Sequence, residues 1–291
     1  MQRYIVSSSA IREDGTVWLY GDDFHHLSRV VRLREGEEVV VSSDGASSVC
    51  RIAALERDGA RLEAVRTCGG SEPGLSVTWL QGLPKGDKID LVIRHACEIG
   101  VRALWVFAAQ RSVVSLAPAK LDSRLARWRK MAKEGSELAQ RDRSLEVRYF
   151  SDLATALSAL AAEGETAGVT EGEAARAARR PVDGRAEGSE DGTGGVPGRA
   201  ARGPLLVPYE AQDAGLPGAR AVFSRLAREE IGSASFVIGP EGGFAPEEIS
   251  LLGAAGGRLF TLGPRVFRTE TAGLVTAAAL FYEWGELEGS R

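Results

Sequence analysis

The sequence predicts an α/β protein in two parts, a small β-rich unit over 1–70 and a larger parallel-sheet domain over 75–287. Short runs rich in Val, Ile and Leu, separated by turn signals, fill the first part. From residue 75 onward, strands alternate with helical patterns, which is typical of a parallel sheet covered on both faces. The stretch CGGSEPG at 68–74 separates the two patterns and is expected to be a linker.

The first unit is expected to contain five strands and one helix. The strands are predicted at 3–8, 16–20, 37–42, 48–56 and 60–66. Between the second and third strands, Asp22 is expected to cap a helix, because a short acidic side chain can accept hydrogen bonds from the first free N–H groups. The apolar stripe predicted for this helix consists of Phe24, Leu27, Val30 and Val31.

The larger domain is expected to alternate strands and helices along most of its length. Its strands are predicted at 76–83, 101–108, 146–150, 166–170, 204–208, 234–239 and 258–262. Its helices are predicted at 88–99, 121–139, 152–162, 246–253 and 270–284. Gly100 is placed to end the first of these helices.

One segment, 171–203, interrupts this domain with a different composition. It consists largely of Gly, Ala, Arg, Glu and Pro and has almost no large apolar side chains. Such a segment cannot bury enough surface to offset the entropy of ordering it, so we expect a disordered insertion. An Arg-rich arm that binds RNA is the alternative interpretation, although the acidic residues nearly match the arginines.

The composition favours a soluble, cytoplasmic protein and disfavours several familiar classes. No apolar run approaches the ~20 residues of a membrane span, and the first residues are too polar for a secretory signal. The three cysteines are isolated, as buried thiols in a reducing compartment would be. The adjacent His25 and His26 would point apart, so no metal is expected. Outside the insertion, nothing approaches the dinucleotide fingerprint, and the phosphate-loop and serine-hydrolase motifs are missing.

Two glycine-containing segments near the C-terminus stand out as candidate functional sites. The first, FVIGPEGGFAPEEI at 236–249, runs from a buried strand through Gly-Pro-Glu-Gly-Gly into a helix. Three glycines and a proline around one glutamate exceed what a turn needs. They allow the backbone to approach a ligand closely.

The second segment is FTLGPRVFRTETAGL at 260–274, again a strand, a Gly-Pro turn and a helix. Thr269 is expected to cap this helix, and Glu270 suits its positive N-terminal end. Capping does not explain Arg265 and Arg268, because positive charge is unfavourable just before a helix N-terminus. Their position therefore indicates a ligand or an acidic partner.

These two segments resemble the family of enzymes that methylate N3 of a uridine in bacterial small-subunit ribosomal RNA. RYIV at 3–6 and HHLSRVVRLREGEEV at 25–39 are similar to that family's N-terminal PUA-like RNA-binding domain. LPKGDKIDLVIRHACEIGV at 83–101 and LLVPYE at 205–210 match the first strand–loop–helix and the first cofactor loop. The resemblance covers nearly everything outside 171–203.

The resemblance implies a knotted parallel sheet of the SPOUT class, with a deep C-terminal trefoil knot, and a homodimer. Three loops, at 206–210, 239–243 and 262–268, would hold a bent S-adenosylmethionine. The implied cofactor residues are Leu206, Pro208, Tyr209, Glu210, Gly239, Glu241, Gly242, Gly243, Leu262, Gly263, Val266, Phe267, Arg268 and Thr271. We therefore expect Gly242→Val to abolish cofactor binding by filling the space that the cofactor uses.

Methylation of a uridine also requires groups that stabilise developing charge and groups that bind the RNA. When N3 loses its proton, negative charge spreads over the ring carbonyls, and a nearby cation or donor must stabilise it. We assign that role to Arg268 and the role of base to Glu270. The residues expected to bind 16S rRNA are Arg3, Arg29, Arg32, Lys85, Lys88, Arg111 and Arg141.

Two other functions remain open at this point. The chain departs from the family pattern at His95, Val106, Gln110, Leu138 and Leu145. These departures keep open a knotted methyltransferase that acts on transfer RNA or on another base. A protein of the same fold that binds RNA without catalysis is the other alternative, and the intact glycine loops argue against it.

Overall fold

The computed structural model describes residues 1–112, 118–163, 203–210, 215–229 and 231–288, and these form two sheets. The N-terminal sheet consists of β1 (Arg3–Ile5), β2 (Val17–Tyr20), β3 (Glu38–Ser43), β4 (Ala46–Leu55) and β5 (Gly59–Cys68). Its order is β1-β3-β4-β5-β2, with β1 parallel to β3 and the remaining pairs antiparallel. Each of the five strands expected from the sequence is present, with shifted ends.

The helix in this unit differs from the prediction. A short α1 (Gly21–His25) continues as a π-helix over His26–Val31. The wider π turn rotates the expected apolar stripe, so Leu27 is fully buried whereas Val30 is 60% exposed. Asp22 is not the cap: it lies in the first turn, and its carboxylate accepts a hydrogen bond from Lys130 instead.

The second sheet is entirely parallel. Its strands are β6 (Ser76–Gly82), β7 (Ala103–Phe107), β8 (Glu146–Phe150), β9 (Leu205–Pro208), β10 (Ser233–Ile238) and β11 (Arg258–Phe260), in the order β11-β9-β10-β6-β7-β8. Its helices are α2 (Lys88–Ile99), α3 (Pro118–Leu138), α4 over 153–163, α5 (Ala219–Ala227), α6 (Pro246–Ala254) and α7 (Thr269–Glu283). This arrangement confirms the α/β prediction.

Alternate side chains of this sheet enter two separate cores. On one face, Trp79 and Phe236 pack in a core shared with α2, α3, α5 and α7. On the other face, Trp105 and Val237 pack in a core to which α4 and α6 contribute. Because both faces are covered, the strands read as continuous apolar runs in the sequence.

One helix of this domain was missed from the sequence, and two predicted segments lie outside the described residues. Helix α5 was not predicted, because its nine residues carry only a short apolar pattern around Phe223 and Leu226. The predicted strand at 166–170 and the insertion at 171–203 lie outside the described residues, apart from Gly203 at the end of the insertion. None of the described helices is both long and apolar enough to cross a membrane.

The stretch predicted as a linker, 68–74, is tied to the second domain by charged side chains. The Glu72 carboxylate accepts hydrogen bonds from the Arg141 guanidinium and from the backbone of Asp142. The backbone N–H of Ser71 donates to the Asp142 carboxylate. These bonds hold the middle of the predicted linker, at Ser71 and Glu72, against the second domain.

The same network explains two arginines that were expected to bind RNA. Arg3 is 6% exposed and pairs with Asp142, and it also donates to Ser42 at 2.9 Å. Arg141 is 3% exposed and pairs with Glu72. Both guanidinium groups are paired with carboxylates inside the protein. Their assignment to RNA is therefore wrong, and they help to join the two domains instead.

Candidate active-site cleft

A cleft of about 840 Å³ lies at the carboxyl ends of three adjacent strands, β11, β9 and β10. This edge is where parallel α/β sheets ordinarily bind ligands, because the loops that follow the strands converge there. Three loops form the walls: loop A (209–218) follows β9, loop B (239–245) follows β10, and loop C (261–268) follows β11. The volume suits a ligand of nucleotide size.

Loops A and C are joined by backbone hydrogen bonds. The Thr261 N–H donates to the Pro217 carbonyl, and the Ala219 N–H donates to the Thr261 carbonyl, both at 3.0 Å. The end of β9 contributes Pro208 to the lining of the cleft, and loop A contributes Tyr209 and Glu210 together with residues 215 and 216. Residues 211–214 lie outside the described part of the chain.

Loop B depends on glycine for its course. Gly243 adopts a φ of 67°, in the left-handed region, and its N–H donates to the Pro240 carbonyl at 2.9 Å, closing the turn. On the neighbouring strand, a Cβ at Gly82 would lie 2.7 Å from the Pro240 ring. Glycine at these two positions thus allows loop B to fold tightly against β6.

Gly242 has a different role from the one predicted. It does not line the cleft, and a Cβ added there would lie 2.9 Å from the backbone carbonyl oxygen of Arg111. The expectation that Gly242→Val fills the cofactor space is corrected: that substitution would push loop B away from the loop that carries Arg111.

Loop C carries the two arginines that helix capping left unexplained. Gly263 has a φ of 103°, which side-chain-bearing residues rarely adopt, and a Cβ there would meet no atom within 4 Å. Arg265 and Arg268 line the cleft and are exposed. Neither guanidinium has a hydrogen bond or an ion pair with any described residue. Both remain available to a ligand.

A buried chain of hydrogen bonds ties loop B to the start of α7. The Thr269 hydroxyl donates to the Gly239 carbonyl at 2.6 Å, and the Gln81 amide donates to the Thr269 hydroxyl at 2.8 Å. The Gln81 carbonyl accepts from the Trp79 indole at 3.0 Å. The Gly239 carbonyl can only accept a hydrogen bond, so the Thr269 hydroxyl must donate to it and accept from the Gln81 amide. Thr269 is the first residue of α7 and not its cap, which is Arg268.

A second polar cluster lies where the cleft meets the N-terminus of α2. The Lys88 ammonium donates to the Glu241 carboxylate at 2.7 Å and lies 3.6 Å from the Glu270 carboxylate. Hydrogen bonding to Glu241 raises the pKa of Lys88. Burial acts to raise the pKa of Glu241, but the hydrogen bonds from Lys88 and Lys85 outweigh it and lower that pKa. The buried Oε2 of Glu270 makes no hydrogen bond.

Most residues predicted for the cofactor do line the cleft. They are Pro208, Tyr209, Glu210, Gly239, Glu241, Gly243, Leu262, Gly263, Val266, Phe267 and Arg268. The exceptions, besides Gly242, are Leu206, which is fully buried in the sheet core, and Thr271, which lies in the first turn of α7 outside the lining. Glu270 is not in the lining, but its carboxylate lies 3.6 Å from the ammonium of Lys88, which is.

The sequence reasoning missed several residues of the lining. Pro240, Pro264 and Arg265 lie within the predicted cofactor loops and are not among them, and Arg265 was expected to meet a ligand or an acidic partner. The missed residues are Gly215, Leu216, Ile238, Phe244, Thr261, Thr269 and Ala272, while Lys88 had been assigned to RNA alone. Most of them adjoin predicted residues, so extending each motif by one or two positions would have found them. Ala272 carried no signal, because only the packing of α7 brings it to the cleft.

The remaining cations predicted to contact RNA are on the surface. Arg29, Arg32, Lys85 and Arg111 are exposed. Arg111 also donates to the Gly242 carbonyl at 3.4 Å, which places it beside loop B. No cluster of three or more His, Cys, Asp or Glu side chains suited to a metal ion is present among the described residues.

Comparison with known proteins identifies the class. The family model described as "RNA methyltransferase domain" matches residues 71–181 and 204–281, and the model described as "RNA methyltransferase PUA domain" matches residues 19–65. The chain belongs to this family of RNA methyltransferases.

Within that family, the chain is similar to proteins named ribosomal RNA small subunit methyltransferase E. The one from Bacillus subtilis is 28% identical, over the full length of both chains. A structure of this name from Neisseria gonorrhoeae, bound to S-adenosylmethionine, has a TM-score of 0.67 at 23% identity and covers 98% of each chain. A methyltransferase structure from Legionella pneumophila, also with that cofactor, has a TM-score of 0.71 at 19% identity over 97% of each chain.

Proposed function

We propose that this chain uses S-adenosylmethionine to methylate N3 of one uridine in the 16S rRNA of the small ribosomal subunit. The observation that carries the proposal is the cleft of about 840 Å³, whose three loops present backbone groups and two arginines that have no partner among the described residues. The full-length similarity to ribosomal RNA methyltransferases supports it, as do the relatives with a bound cofactor. We also propose a cytoplasmic location, where the protein would meet a ribosomal substrate.

The cleft fits the cofactor on structural grounds. At Gly263, with its φ of 103° and open space where a Cβ would be, the backbone itself faces the cleft. Apolar side chains from Leu262, Val266 and Phe244 add surface on which an adenine ring can pack. Bound S-adenosylmethionine would supply an electrophilic methyl group on a sulfonium. The residues of loops A, B and C would hold it.

The chain's own residues account for the other needs of the reaction. The nitrogen N3 of uridine is nucleophilic only after it loses its proton, and we assign the Glu270 carboxylate as the acceptor. Lys88 holds Glu270 and Glu241 at the rim of the cleft. The Arg268 guanidinium, which has no partner among the described residues, would donate to a uracil carbonyl as negative charge develops there.

RNA binding is assigned to exposed cations of both parts of the chain. We propose that the N-terminal unit, 1–70, positions the RNA through Arg29 and Arg32 while Lys85 and Arg111 contact phosphates beside the cleft. Unless the target uridine is already unstacked, it must leave its stack to reach the methyl group.

We also propose that the C-terminal segment is knotted and that the protein is a homodimer. The knot is supported by the course of loop C, which bonds to loop A at Thr261 and leads into α7. The first residue of α7, Thr269, bonds to loop B, and α7 then packs beside α2 and α5. An experimental trace of 203–288 that keeps loop C outside loop A would refute the knot.

The dimer has its own test. Light scattering should give twice the chain's 31.0 kDa for a dimer.

Methyl transfer can be tested directly. Small subunits purified from a strain that lacks the enzyme would be incubated with the protein and S-adenosylmethionine, and their nucleosides analysed by mass spectrometry. We expect 3-methyluridine in 16S rRNA. Calorimetry should give a cofactor Kd near the micromolar range, which is a binding free energy of about −8 kcal/mol. A parallel incubation with transfer RNA tests the alternative substrate, and a methylated base there with none in 16S rRNA would replace the target. Cofactor or ribosome binding with no product would indicate a non-catalytic protein.

A further inference from the structure

The outer face of β2 carries an aromatic pair that the proposed reaction does not use. Val17 and Leu19 point into the core of the N-terminal unit, so the alternating Trp18 and Tyr20 lie on the opposite face. Their rings stack with an interplanar angle of 6° and a centroid separation of 5.6 Å. Tyr20 is 50% exposed.

An arginine completes this surface. The Arg12 guanidinium lies over the Trp18 ring, with its carbon 5.2 Å from the ring centroid, and also donates to the Tyr20 hydroxyl at 3.2 Å. We name Arg12, Trp18 and Tyr20 the stacking platform. One cation and two aromatic rings are thereby held together on the edge strand of the sheet.

The platform is held in place before any ligand binds. The Arg12 N–H donates to the Thr16 carbonyl at 2.8 Å, and the Asp14 carboxylate accepts from the Thr16 N–H at 2.9 Å, so the turn before β2 is fixed. A Cβ at Gly59 would lie 2.8 Å from the Tyr20 ring, so this glycine makes room for the ring on β5. Because the platform is already ordered, it loses little conformational entropy when a ligand binds.

We propose that the stacking platform binds an unpaired base of the RNA substrate. Single-stranded RNA is recognised chiefly by stacking of its bases on aromatic rings and arginine planes, and this surface offers both. Asp14 and the Arg61–Glu63 pair leave the surroundings of mixed charge, which favours stacking over phosphate binding as the source of affinity. The proposal rests on the proposed RNA substrate and extends it to a second contact on the N-terminal unit.

The test compares binding of two RNA probes by fluorescence anisotropy. The probes are a fluorescein-labelled single-stranded 12-mer RNA and the same strand annealed to its complement. We expect the double variant W18A/Y20A to weaken binding of the single strand at least about tenfold and to change duplex binding less than about twofold. Tyr20→Phe, which keeps the ring but loses the hydroxyl that Arg12 contacts, should weaken binding of the single strand far less than W18A/Y20A does. Arg12→Lys, which keeps the positive charge but loses the planar guanidinium group, should weaken binding of the single strand.

Controls separate this proposal from the cofactor site and from misfolding. Tyr282→Ala removes an aromatic residue that is 73% exposed in the other domain, and it should change neither affinity. Calorimetric binding of S-adenosylmethionine should persist in W18A/Y20A, since the platform lies outside the cleft lining. Failure of the wild type to bind this cofactor would overturn the proposed function alone.

A crosslink on the wild-type protein tests the platform without any substitution. RNA containing 4-thiouridine should crosslink to Trp18 or Tyr20, both within the tryptic peptide 13–29. Crosslinks confined to other peptides would overturn the platform, and so would single-strand affinity of W18A/Y20A within twofold of the wild type. A wild-type protein that binds cofactor but neither RNA probe would also overturn it.

Discussion

The arginines at the domain junction and those at the cleft look alike in the sequence but differ in their surroundings. Arg3 and Arg141 are almost fully buried, and each is paired with a carboxylate. Arg265 and Arg268 are exposed at the cleft and have no such partner among the described residues. The difference indicates that the first pair holds the two domains together, whereas the second pair is free to meet a ligand.

The largest effect is expected at the junction. Asp142→Ala should lower the free energy of unfolding by about 3–5 kcal/mol, because it leaves the buried Arg3 guanidinium without its counter-charge. Urea denaturation at pH 7 would measure it. The double variant R3M/D142L, which removes both charges, should recover most of the loss. A change below about 1 kcal/mol in D142A would show that the junction is not held by this pair.

At the cleft the expected effect is on rate rather than on stability. Arg268→Ala should slow methyl transfer about a hundredfold, the scale for losing one donor to a developing oxyanion, while the urea midpoint stays unchanged. Single-turnover kinetics at saturating RNA and cofactor would measure the rate. Full recovery of the rate at high RNA concentration would make Arg268 a binding residue instead.

A smaller effect is expected for the hydrogen-bond relay that ties loop B to the start of α7. Thr269→Val is close in shape but leaves the Gly239 carbonyl and a Gln81 N–H without partners, and should weaken cofactor binding about tenfold. Thr269→Ser keeps the hydroxyl and should restore the affinity in calorimetry. Equal weakening by both variants would indicate that the γ-methyl group, and not the hydrogen bond, matters.

The fourth effect depends on pH and concerns a carboxylate at the junction that titrates near neutrality. Burial raises the pKa of Glu137 to about 7 from its ordinary 4.5, although the Ile5 N–H and Lys133 oppose this. The folded state therefore binds more protons than the unfolded state between these values. Stability falls as pH rises from about 4.5 to 7, by at most about 1.4 kcal/mol per pH unit.

Glu137→Gln isolates this contribution, because the amide keeps an acceptor for the Ile5 N–H and does not titrate. The free energy of unfolding, measured by urea between pH 5 and 8, should fall more steeply in the wild type than in the variant. Parallel curves would show that Glu137 is as well solvated in the folded state as in the unfolded state.

The sequence predicted the elements of the second domain well. Helix α2 begins at Lys88 and ends at Ile99 as expected, with Gly100 at a φ of 94°, and strand β8 matches at both ends. In these segments local signals agree with the tertiary structure. The helix after β2 was mispredicted because a π-helix places its side chains at a spacing that a regular helical pattern does not describe.

What the sequence determined by itself was the class of fold and the two glycine segments. Those follow from chemistry that is local in the chain: apolar periodicity, and turns that only glycine allows at Gly243 and Gly263. The tertiary structure alone decided which cations are available. Arg3 meets Asp142 across 139 positions, and a pairing of that range is set by packing rather than by neighbours in the chain. Burial and partners therefore separated the structural arginines from Arg268 at the cleft.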